Sequence, residues 1–398
     1  MPNERKEMDT DNIKVLVITA NVGSLFEEYG AILRENWMLE FHKLVQTHQP
    51  TFIGLHLQEV GGKTLVVNTE QVVTFFKELY NAERFEEYIS VHSFIDEEYT
   101  QEKYTALGSS YFIHKSLHDR IEMWNFDDQS FKIVPKGRIL HSASDASCYV
   151  KKHKFPLSCY SKKLIRWPRK GFTWTRWRIN NRVLDMLNVH LTHDACNLKA
   201  ALKSPTKFAK HRRRSLQYLI DRLNEAPSDH QILYGDFNVR PDTKGLIDHL
   251  MGDIASHHLT KDSDGHPQSL VYRAVNGSTK DLLKIGGRLF EMSSYEAFDH
   301  VSDLLQFDRE LEWVYEDLFS EMPVSFKPTY PHKENPEDNG VSFSNVRCPS
   351  WCDRVIVDKK LFQEAVQPDE GSVYGSYGKN VHIGDHKPVF MVFNFPNR

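Results

Sequence analysis

The sequence predicts an α/β fold in which strands and helices form layers, and two observations support this prediction. Short runs of β-branched and other apolar residues alternate with apolar residues at helical spacing, a pattern typical of layered α/β proteins rather than of bundles or all-β barrels. In addition, predicted strands end at or just before Asn21, Glu59, His190 and Asp236. Active sites of layered α/β folds collect at one end of the sheet, where strands hold side chains in place.

Eight segments have the composition of buried or half-buried strands. They are residues 13–19, 51–57, 111–114, 172–179, 183–191, 231–234, 354–357 and 388–395. Four sets of apolar residues recur at helical spacing. They are Trp37, Phe41, Leu44 and Val45; Val72, Phe75, Phe76 and Leu79; Leu216, Leu219, Ile220 and Leu223; and Leu304, Leu305, Leu311, Val314, Tyr315 and Leu318. The rest of 81–165 and 242–320 gives weak signals.

Composition is that of a globular protein with reduced cysteines. The 398 residues are 40% hydrophobic and 26% charged, which is too apolar for a disordered chain. No apolar run reaches the roughly 18–20 residues of a membrane helix, and residues 1–12 do not resemble a signal peptide. The five cysteines are odd in number and irregularly spaced, so we expect free thiols and a cytoplasmic location.

The formal net charge of −4 hides two regions of opposite charge. Residues 151–220 contain 18 Lys and Arg against two acidic residues, which gives +16, and the rest of the chain sums to −20. Within this block, cations alternate with Trp and Phe residues over 166–178. A strand there would hold some of these cations in fixed positions, which favours a polyanionic ligand over a merely solvated surface.

Five oxygen-bearing side chains lie at or near the ends of predicted strands: Asn21, Glu59, Asp236, Asn238 and Asp385. Carboxylate and amide oxygens suit Mg²⁺ better than Zn²⁺. Each residue alone would be explained as a turn residue or a helix cap. Five at strand ends are harder to explain in that way, because a buried unpaired carboxylate is costly.

His190, His193 and Asp194 allow an alternative, a zinc site like those of binuclear hydrolases. The tighter His-x-His-x-Asp-His run is absent, and no Cys or His group elsewhere supplies the remaining ligands at a telling spacing. This alternative is therefore disfavoured. Cys348 and Cys352 are better explained as small packing residues than as metal ligands.

Five blocks together resemble the inositol polyphosphate 5-phosphatases. They are residues 19–23 (TANVG), 57–59 (LQE), 234–240 (YGDFNVR), 348–354 (CPSWCDR) and 384–389 (GDHKPV). Their order matches that family over residues 19–390, and the third and fourth blocks form a highly specific pair. Within the family, residues 106–109, 169–172 and 188–191 are most similar to the type I enzyme, which acts on soluble inositol phosphates.

The resemblance implies a four-layer α/β sandwich like that of deoxyribonuclease I, in the endonuclease/exonuclease/phosphatase superfamily. We expect a polar tail over 1–12 and one catalytic domain over 13–396. The implied activity is Mg²⁺-dependent removal of the 5-phosphate from soluble inositol 1,4,5-trisphosphate and inositol 1,3,4,5-tetrakisphosphate, which ends inositol trisphosphate and calcium signalling. The implied partners are soluble inositol polyphosphates, with no nucleic acid.

With that family in view, the metal and the attacking water have candidate residues. We expect Glu59, with Asn21 close by, to hold one Mg²⁺. Asp236 would orient and deprotonate the attacking water, and Asn238 would steady it. These residue types are suited to hard-cation binding and to proton transfer.

The histidines and two further carboxylates are expected to act on the phosphoryl group. His190 and His386 would donate to its oxygens. By resemblance, Asp353 pairs with His386 and fixes its tautomer. Asp385 would support the metal indirectly, through the groups that bind it.

Cations are expected to hold phosphates that do not react. The candidates are Lys170, Arg354, Arg169, Arg347 and Lys333. Family members often have Lys directly after Phe-x-Pro-Thr-Tyr, but here Tyr330 is followed by Pro331. Lys333 or Lys327 would have to serve instead.

Type I members usually end in a prenylated Cys, whereas this sequence ends in Phe-Pro-Asn-Arg. We therefore expect no lipid anchor, membrane contact only at the periphery, and attachment to the plasma membrane only if a longer native C-terminus is prenylated.

Three other functions remain open. A phosphoinositide lipid 5-phosphatase of the same family would expose apolar residues beside the basic region, and Trp167, Trp174 and Trp177 are candidates. A nuclease of the same superfamily would use the basic block along a phosphodiester backbone, although the Trp-Cys-Asp-Arg segment argues against it. An inactive module that only binds inositol phosphates is disfavoured because all the catalytic positions are present.

Overall fold

The computed structural model describes most of the chain. The described residues are 13–26, 30–62, 65–81, 85–100, 102–141, 148–160, 169–275, 280–334, 342–367, 371–378, 381 and 384–396. The expected tail over 1–12 and the candidate Trp167 therefore lie outside the described residues.

Two large β-sheets form the centre of the fold. The strands of the first sheet are β1 (Ile13–Asn21), β2 (Phe52–Gln58), β3 (Tyr88–Ile95), β4 (Gly108–His114), β7 (Gly137–His141), β18 (Val373–Ser376) and β19 (Val389–Phe395). The strands of the second sheet are β5 (Ile121–Asn125), β6 (Ser130–Ile133), β8 (Lys151–Lys154), β9 (Gly171–Ile179), β10 (Arg182–His190), β11 (His230–Asp236), β16 (Phe319–Ser320) and β17 (Asp353–Asp358). The first sheet has the order β18-β19-β1-β2-β4-β3-β7, the second β16-β17-β11-β10-β9-β5-β6, with β8 beside β9.

A small antiparallel sheet and several helices complete the described structure. The small sheet contains β12 (Ala255–Lys261), β13 (Pro267–Ala274), β14 (Asp281–Ile285) and β15 (Phe290–Met292). The α-helices are α1 (Gly30–His48), α2 (Leu65–Asn81), α3 (Asn197–Leu202), α4 (Lys207–Asn224), α5 (Thr243–Met251), α6 (Val301–Leu304), α7 (Glu312–Asp317) and α8 (Lys359–Leu361).

Strand β1 shows how the layers arise. Leu16 and Ile18 belong to the apolar cluster that includes α1 and α2, whereas Val15 and Val17 belong to the cluster between the two sheets. Successive side chains of a strand point to opposite faces of the sheet. Because both faces of β1 carry apolar side chains, β1 lies between a helical layer and the second sheet.

Helix α4 covers the outer face of the second sheet. Its residues Leu216 and Leu219 pack with Leu187 and Leu233 of that sheet, and its first turn is capped by Thr206, whose side chain accepts hydrogen bonds from two backbone N–H groups. The order of layers is thus helix, sheet, sheet, helix. This confirms the predicted four-layer α/β sandwich.

The strand register brings the candidate active-site residues to one end of the two sheets. Strands β1 and β2 are parallel, with Asn21 opposite Gln58. Strands β10 and β11 are also parallel, with His190 opposite Asp236, and antiparallel β17 places Asp353 opposite Asp236. Parallel strands end at the same edge, so residues far apart in sequence become neighbours there.

The predicted strands and the first three helices are confirmed with small shifts at their ends. The predicted helix over 304–318 is wrong as a single element, because the structure has α6, a 3₁₀ turn (Leu305–Phe307) and α7 in its place. Of the apolar residues in this segment, Leu304, Leu311 and Val314 are nevertheless buried. The stretches with weak signals contain β3, β5 to β8 and the small sheet. Strands β6, β7, β8 and β12 are short or largely exposed, whereas β3 is buried.

The cysteines are free thiols, and the buried Cys348 and Cys352 pack in the interior as predicted. The described helices include none that is long and apolar enough to span a bilayer.

A fully buried histidine lies between the two sheets. The ring of His56 stacks on Tyr234 with centroids 3.6 Å apart, and its Nε2 lies 2.9 Å from the Tyr111 hydroxyl, which is 2.7 Å from Thr175 Oγ1. Burial holds the pKa of His56 well below its usual 6.5. The folded protein therefore keeps this ring neutral.

We expect His56 to make the fold sensitive to mild acid. Below about pH 6.5 the unfolded chain binds a proton on His56 that the folded protein excludes, so the free energy of unfolding should fall by up to about 1.4 kcal/mol per pH unit. Urea unfolding above and below pH 6.5 measures this fall, which should be smaller in His56→Gln. The exposed His258 offers a matched control, since His258→Gln should keep the parent's acid sensitivity. Equal sensitivity in both variants would contradict the prediction.

Candidate active site

A cleft of about 420 Å³ opens at the shared end of the two sheets. Of the residues predicted from the sequence, those that line it are Asn21, Glu59, Lys170, Asp236, Asn238, Arg347, Asp385 and His386. His190 and Asp353 are buried directly against these residues. The structure thus brings together residues that are up to 365 positions apart in the chain.

Asp236 is at the centre of this group. Its Oδ2 accepts hydrogen bonds from Asn238 Nδ2 at 2.9 Å and Asn21 Nδ2 at 3.2 Å, and it lies 3.2 Å from His190 Nε2 and 3.9 Å from His386 Nε2. Its Oδ1 accepts from the Asn238 backbone N–H. Burial alone would raise the pKa of Asp236, but the charge of His386, the hydrogen-bond contact with His190 and the charge of Lys170 outweigh it and lower that pKa. Asp236 is therefore a carboxylate at every working pH.

His386 is held by a buried carboxylate behind it. Its Nδ1 donates to Asp353 Oδ2 at 2.8 Å, and the same oxygen accepts from Thr329 Oγ1 at 2.6 Å. Although burial opposes the charged ring, Asp353 and Asp236 raise the pKa of His386. The ring is thus an imidazolium whose Nε2–H faces the cleft, and Asp353 sets its orientation.

Lys170 and His190 form a second pair in which both groups are buried. Lys170 Nζ is in direct hydrogen-bond contact with His190 Nε2, and both lie 3.9 Å from Glu59 Oε1. Burial lowers the pKa of each, and the Lys170 charge lowers the pKa of His190 further. Two cations this close repel, so we infer that His190 is neutral while Lys170 carries the charge.

The orientation of the Asn238 amide is set by its neighbours. Arg240 Nη2 donates to Asn238 Oδ1 at 3.0 Å, and Asn238 Nδ2 in turn donates to Leu191 O and to Asp236. Arg240 is buried, with its guanidinium 4.4 Å from the Tyr330 ring centroid. An arginine can only donate, so its contact turns the N–H groups of Asn238 toward the Asp236 carboxylate.

Glu59 and Asn21 form an oxygen-lined space beside Gly23. Glu59 follows β2 with a positive φ of 56°, and Lys170 and His190 lower its pKa despite burial. A Cβ atom at Gly23 would lie 3.1 Å from Glu59 Oε2 and 3.7 Å from Asn21 Oδ1. The Glu59 carboxylate and the Asn21 amide oxygen both border this space, and oxygen ligands of these two types suit a hard divalent cation.

A buried network of amides joins the two sheets beneath the cleft. Asn188 Nδ2 donates to Leu57 O at 3.1 Å and to Gly108 O at 2.9 Å, so one side chain of the second sheet bonds two strands of the first. Its Oδ1 accepts from Gln58 Nε2 at 2.8 Å, and Gln58 Oε1 accepts from Thr19. These residues precede Glu59, His190 and Asn21 by one or two positions, so the network sets the spacing of the catalytic side chains.

The structure does not bring Arg354 to the cleft. It is buried and donates to Glu321 Oε1 at 2.7 Å and to Asp308 Oδ2 at 2.5 Å. Both carboxylates hold the guanidinium in the interior, where it cannot reach a substrate phosphate. The position of Arg354 therefore gives no support to its predicted phosphate contact, because Asp308 and Glu321 occupy its donors and it does not line the cleft.

Lys333 and Arg169 also lie elsewhere than expected. Lys333 lines a separate pocket with Glu291 and Asp299, which does not fit the predicted role in phosphate binding. Arg169 stands next to the cleft, where its Nη1 donates to Gly62 O at 3.0 Å. It therefore supports the backbone of the cleft wall instead of lining the cleft itself.

The residues of the zinc alternative are separated. Asp194 Oδ1 accepts from buried Arg212 at 2.6 Å, whereas His190 faces Asp236. Among the described residues, one group of three His, Cys, Asp or Glu side chains lies within metal-binding range, and it consists of Asp236, Asp353 and His386. The geometry gives no support to zinc at His190 and His193.

Several cleft residues were not predicted. Arg288 stands on the rim and follows Gly286-Gly287, a turn signal ahead of β15, which could have marked it. Tyr330 lies 4.6 Å from the His386 ring and occurs in the quoted Phe-x-Pro-Thr-Tyr motif. His193 lines the cleft as well.

Comparison with known proteins agrees with the geometry. The family model described as Endonuclease/Exonuclease/phosphatase family 2 matches residues 288–392. Inositol polyphosphate-5-phosphatase A of Rattus norvegicus is 35% identical over 387 residues, which cover 95% of this chain and 92% of the relative. The probable type I inositol 1,4,5-trisphosphate 5-phosphatase of Caenorhabditis elegans is 32% identical over 96% of this chain and all of the relative.

A solved structure has the same fold. It is the inositol polyphosphate 5-phosphatase domain of spSynaptojanin, in complex with inositol 1,4-bisphosphate and a calcium ion, with a TM-score of 0.54 and 15% identity over 96% of this chain and 84% of that chain. The fold and site thus define a hydrolase of the endonuclease/exonuclease/phosphatase superfamily. At 35% identity over nearly its whole length, the chain belongs to the inositol polyphosphate 5-phosphatase family.

Proposed function

We propose that this enzyme removes the 5-phosphate from soluble inositol 1,4,5-trisphosphate and inositol 1,3,4,5-tetrakisphosphate with Mg²⁺ as its metal, and thereby ends inositol trisphosphate and calcium signalling. The observation that carries the proposal is the environment of Asp236. Its ionised carboxylate is held by amides and histidines at the base of an open cleft whose rim carries Arg288 and Arg347. A nucleophile-orienting group and cations around it are what phosphate monoester hydrolysis requires.

Mg²⁺ would be held by Glu59 and Asn21, and it would supply charge stabilisation for the reacting phosphoryl group. Asp385 lines the same cleft as Glu59 and Asn21 and would support this position. Hard oxygen donors favour Mg²⁺ or Ca²⁺ over zinc. Of these two, Mg²⁺ is the ion that usually keeps waters and binds through few carboxylates together with substrate phosphate.

The protein groups then act on the water and the phosphoryl group. Asp236 orients the attacking water and accepts its proton. A phosphate dianion in the cleft offsets the positive field of His386 and Lys170, and so raises the pKa of Asp236 as the substrate binds. His386 donates Nε2–H to a phosphoryl oxygen, and Lys170 places its ammonium beside it.

The groups that line the cleft suit a small, highly charged substrate. Lys170, Arg288 and Arg347 supply cations, and Mg²⁺ would offset the carboxylates of Glu59, Asp236, Glu334 and Asp385 that line the same cleft. Trp174 and Trp177, which were candidates for a lipid-facing surface, are buried in the fold. The free thiols support a cytoplasmic location, where such substrates are soluble.

A substrate panel tests the proposal. Phosphate release would be measured from soluble inositol tris- and tetrakisphosphates, from a phosphoinositide in vesicles and from plasmid DNA, each with Mg²⁺ and with excess EDTA. We expect release from the soluble compounds that stops in EDTA. Faster release from the lipid would favour the lipid phosphatase, nicking of the plasmid would favour a nuclease, and tight binding with no release would favour an inactive module. Full activity in excess EDTA would exclude a metal ion from the mechanism.

We expect Gly23→Ala to weaken Mg²⁺ binding about tenfold. The added Cβ would lie 3.1 Å from Glu59 Oε2, so the carboxylate must turn away from the space it shares with Asn21. Titration calorimetry of the substrate-free protein with Mg²⁺ measures the affinity. Gly287→Ala is the matched control, because a Cβ at Gly287 has no neighbour within 4 Å. Equal Mg²⁺ affinity in both variants would place the metal elsewhere.

A further inference from the structure

One exposed segment of the described structure, residues 197–214, carries several cations and contains no acidic residue. It is formed by α3, the residues that follow it and the first half of α4, and we call it the cationic face. Its members are the exposed residues Lys199, Lys203, Lys207, Lys210 and Arg214. Beside residues 204–206 of this segment, the carboxylates of Asp194, Asp242 and Glu310 line a pocket. Positions 207, 210 and 214 lie on one side of α4, because residues three and seven apart share a helix face. The first acidic residue of α4 is Asp221, about 10 Å further along the helix axis.

Within the described part of the chain, the cations of the cationic face have no ion-pair partner. Elsewhere in the described structure, exposed lysines such as Lys43, Lys132 and Lys244 lie within 3 Å of a carboxylate. By contrast, no carboxylate of the described residues lies within 4 Å of the charged groups of the cationic face. The positive potential of this face is therefore left to the solvent or to a partner.

Two leucines are exposed next to these cations. Leu202 ends α3 and is 40% exposed, and Leu157 is 44% exposed. Leu157 begins a 3₁₀ turn (Leu157–Cys159) whose neighbour Tyr160 contacts His211 of α4, with ring centroids 6.1 Å apart. Aliphatic side chains among lysines are typical of surfaces that enter the headgroup region of a membrane.

The cationic face continues into the wall of the cleft. Asn197, at the start of α3, donates its backbone N–H to Gly287 O at 3.0 Å and its side-chain amide to Val346 O at 2.9 Å. The rim residues Arg288 and Arg347 follow these two carbonyls directly. A flat anionic surface bound to the cationic face would therefore lie close to the cleft entrance.

We propose that the cationic face docks this enzyme on membranes that contain anionic lipids. Charge complementarity identifies the occupant as a polyanionic surface, and Leu157 and Leu202 favour a bilayer over a nucleic acid. Single strands are held by exposed aromatic rings on which bases stack, and the described residues of this face expose none. The docking concerns where the enzyme acts and does not depend on which inositol phosphate it hydrolyses.

Vesicle co-sedimentation tests the docking. The full chain would be mixed with phosphatidylcholine vesicles with and without phosphatidylserine, and with no phosphoinositide present. Binding should require phosphatidylserine and should fall roughly a hundredfold in Lys207→Glu/Lys210→Glu/Arg214→Glu, because each cation near such a surface contributes about 1 kcal/mol, which is about fivefold in affinity. The control is Lys77→Glu/Lys261→Glu/Lys360→Glu, which changes the net charge equally at exposed lysines elsewhere.

Each outcome decides the proposal. Loss of vesicle binding in the α4 variant but not in the control supports it, provided that turnover of soluble inositol trisphosphate is unchanged in both. An equal loss in both variants shows a net-charge effect and overturns it. Absence of vesicle binding by the parent overturns it as well. Binding of a single-stranded oligonucleotide would be measured in parallel, and if the α4 variant loses oligonucleotide binding but keeps vesicle binding, the proposal is also overturned. If the soluble substrate is not turned over, the proposed function fails while the docking result still stands.

Discussion

Asp236→Asn should lower phosphate release by at least about a thousandfold and leave the binding of inositol trisphosphate intact. The substitution keeps the shape of a side chain that accepts hydrogen bonds from Asn21, Asn238 and the backbone. It removes the charge that orients the water and takes its proton, and proton transfer of this kind contributes about 10²–10⁴-fold. Single-turnover phosphate release measures the chemical step, and calorimetry in Mg²⁺ measures substrate affinity.

The control for this experiment is Asp264→Asn, which makes the same chemical change in the exposed turn between β12 and β13. It should behave as the parent does in both assays. A turnover of Asp236→Asn within tenfold of the parent would exclude Asp236 as the base. A loss of substrate binding in the same variant would show that the substitution disturbs the cleft rather than the proton transfer.

Asn188→Ala should lower the free energy of unfolding by about 3 kcal/mol or more. The change removes three buried hydrogen bonds, which are the bonds to the carbonyls of Leu57 and Gly108 and the bond from the Gln58 amide. Each unpaired buried group costs roughly 1–3 kcal/mol. Urea unfolding measures the loss. Turnover should fall as well, because Glu59 follows Gln58 directly.

Asn394→Ala serves as the comparison for Asn188→Ala. Asn394 also lies in a strand, β19, but its Oδ1 is buried without a partner, so truncation removes no comparable network and should cost less than about 1 kcal/mol. Asn188→Asp adds a second test, since it keeps the acceptor for Gln58 but loses both donors and should be at least as destabilising. If Asn188→Ala costs no more than Asn394→Ala, the network does not hold the sheets together.

Much of the fold could be predicted because its signals are local. The strands over 13–19, 172–179 and 183–191 are rich in apolar and β-branched residues, which identify buried strands. The order and content of the five motif blocks then indicate how the strands assemble into two sheets. By contrast, residues 304–318 have apolar residues at helical spacing without enough consecutive helical turns, and the chain bends at Leu305–Phe307. Periodicity reports which side chains are buried better than it reports continuous backbone structure.

The residues of the candidate site also differ in whether a local sequence signal identifies them. Asn21, Glu59, Asp236 and His386 could be found because each occurs at a strand end or in a motif, and parallel strands bring such ends together. The partners of Arg354 could not be found in this way. Asp308 and Glu321 are 46 and 33 positions away, and only the folded chain shows that they surround the guanidinium. Whether a cation faces a ligand or a buried carboxylate depends on contacts between distant segments.

The pairing of β1 with β19 has a consequence for synthesis of the enzyme. Ile13 lies opposite Phe395, and β1 also carries Asn21, while His386 stands just ahead of β19. The first and last strands of the described residues therefore share one sheet and complete one cleft. A nascent chain still short of residue 386 lacks the imidazolium, and its β1 has one unpaired edge. We therefore expect a chain that is terminated before residue 386 to be inactive.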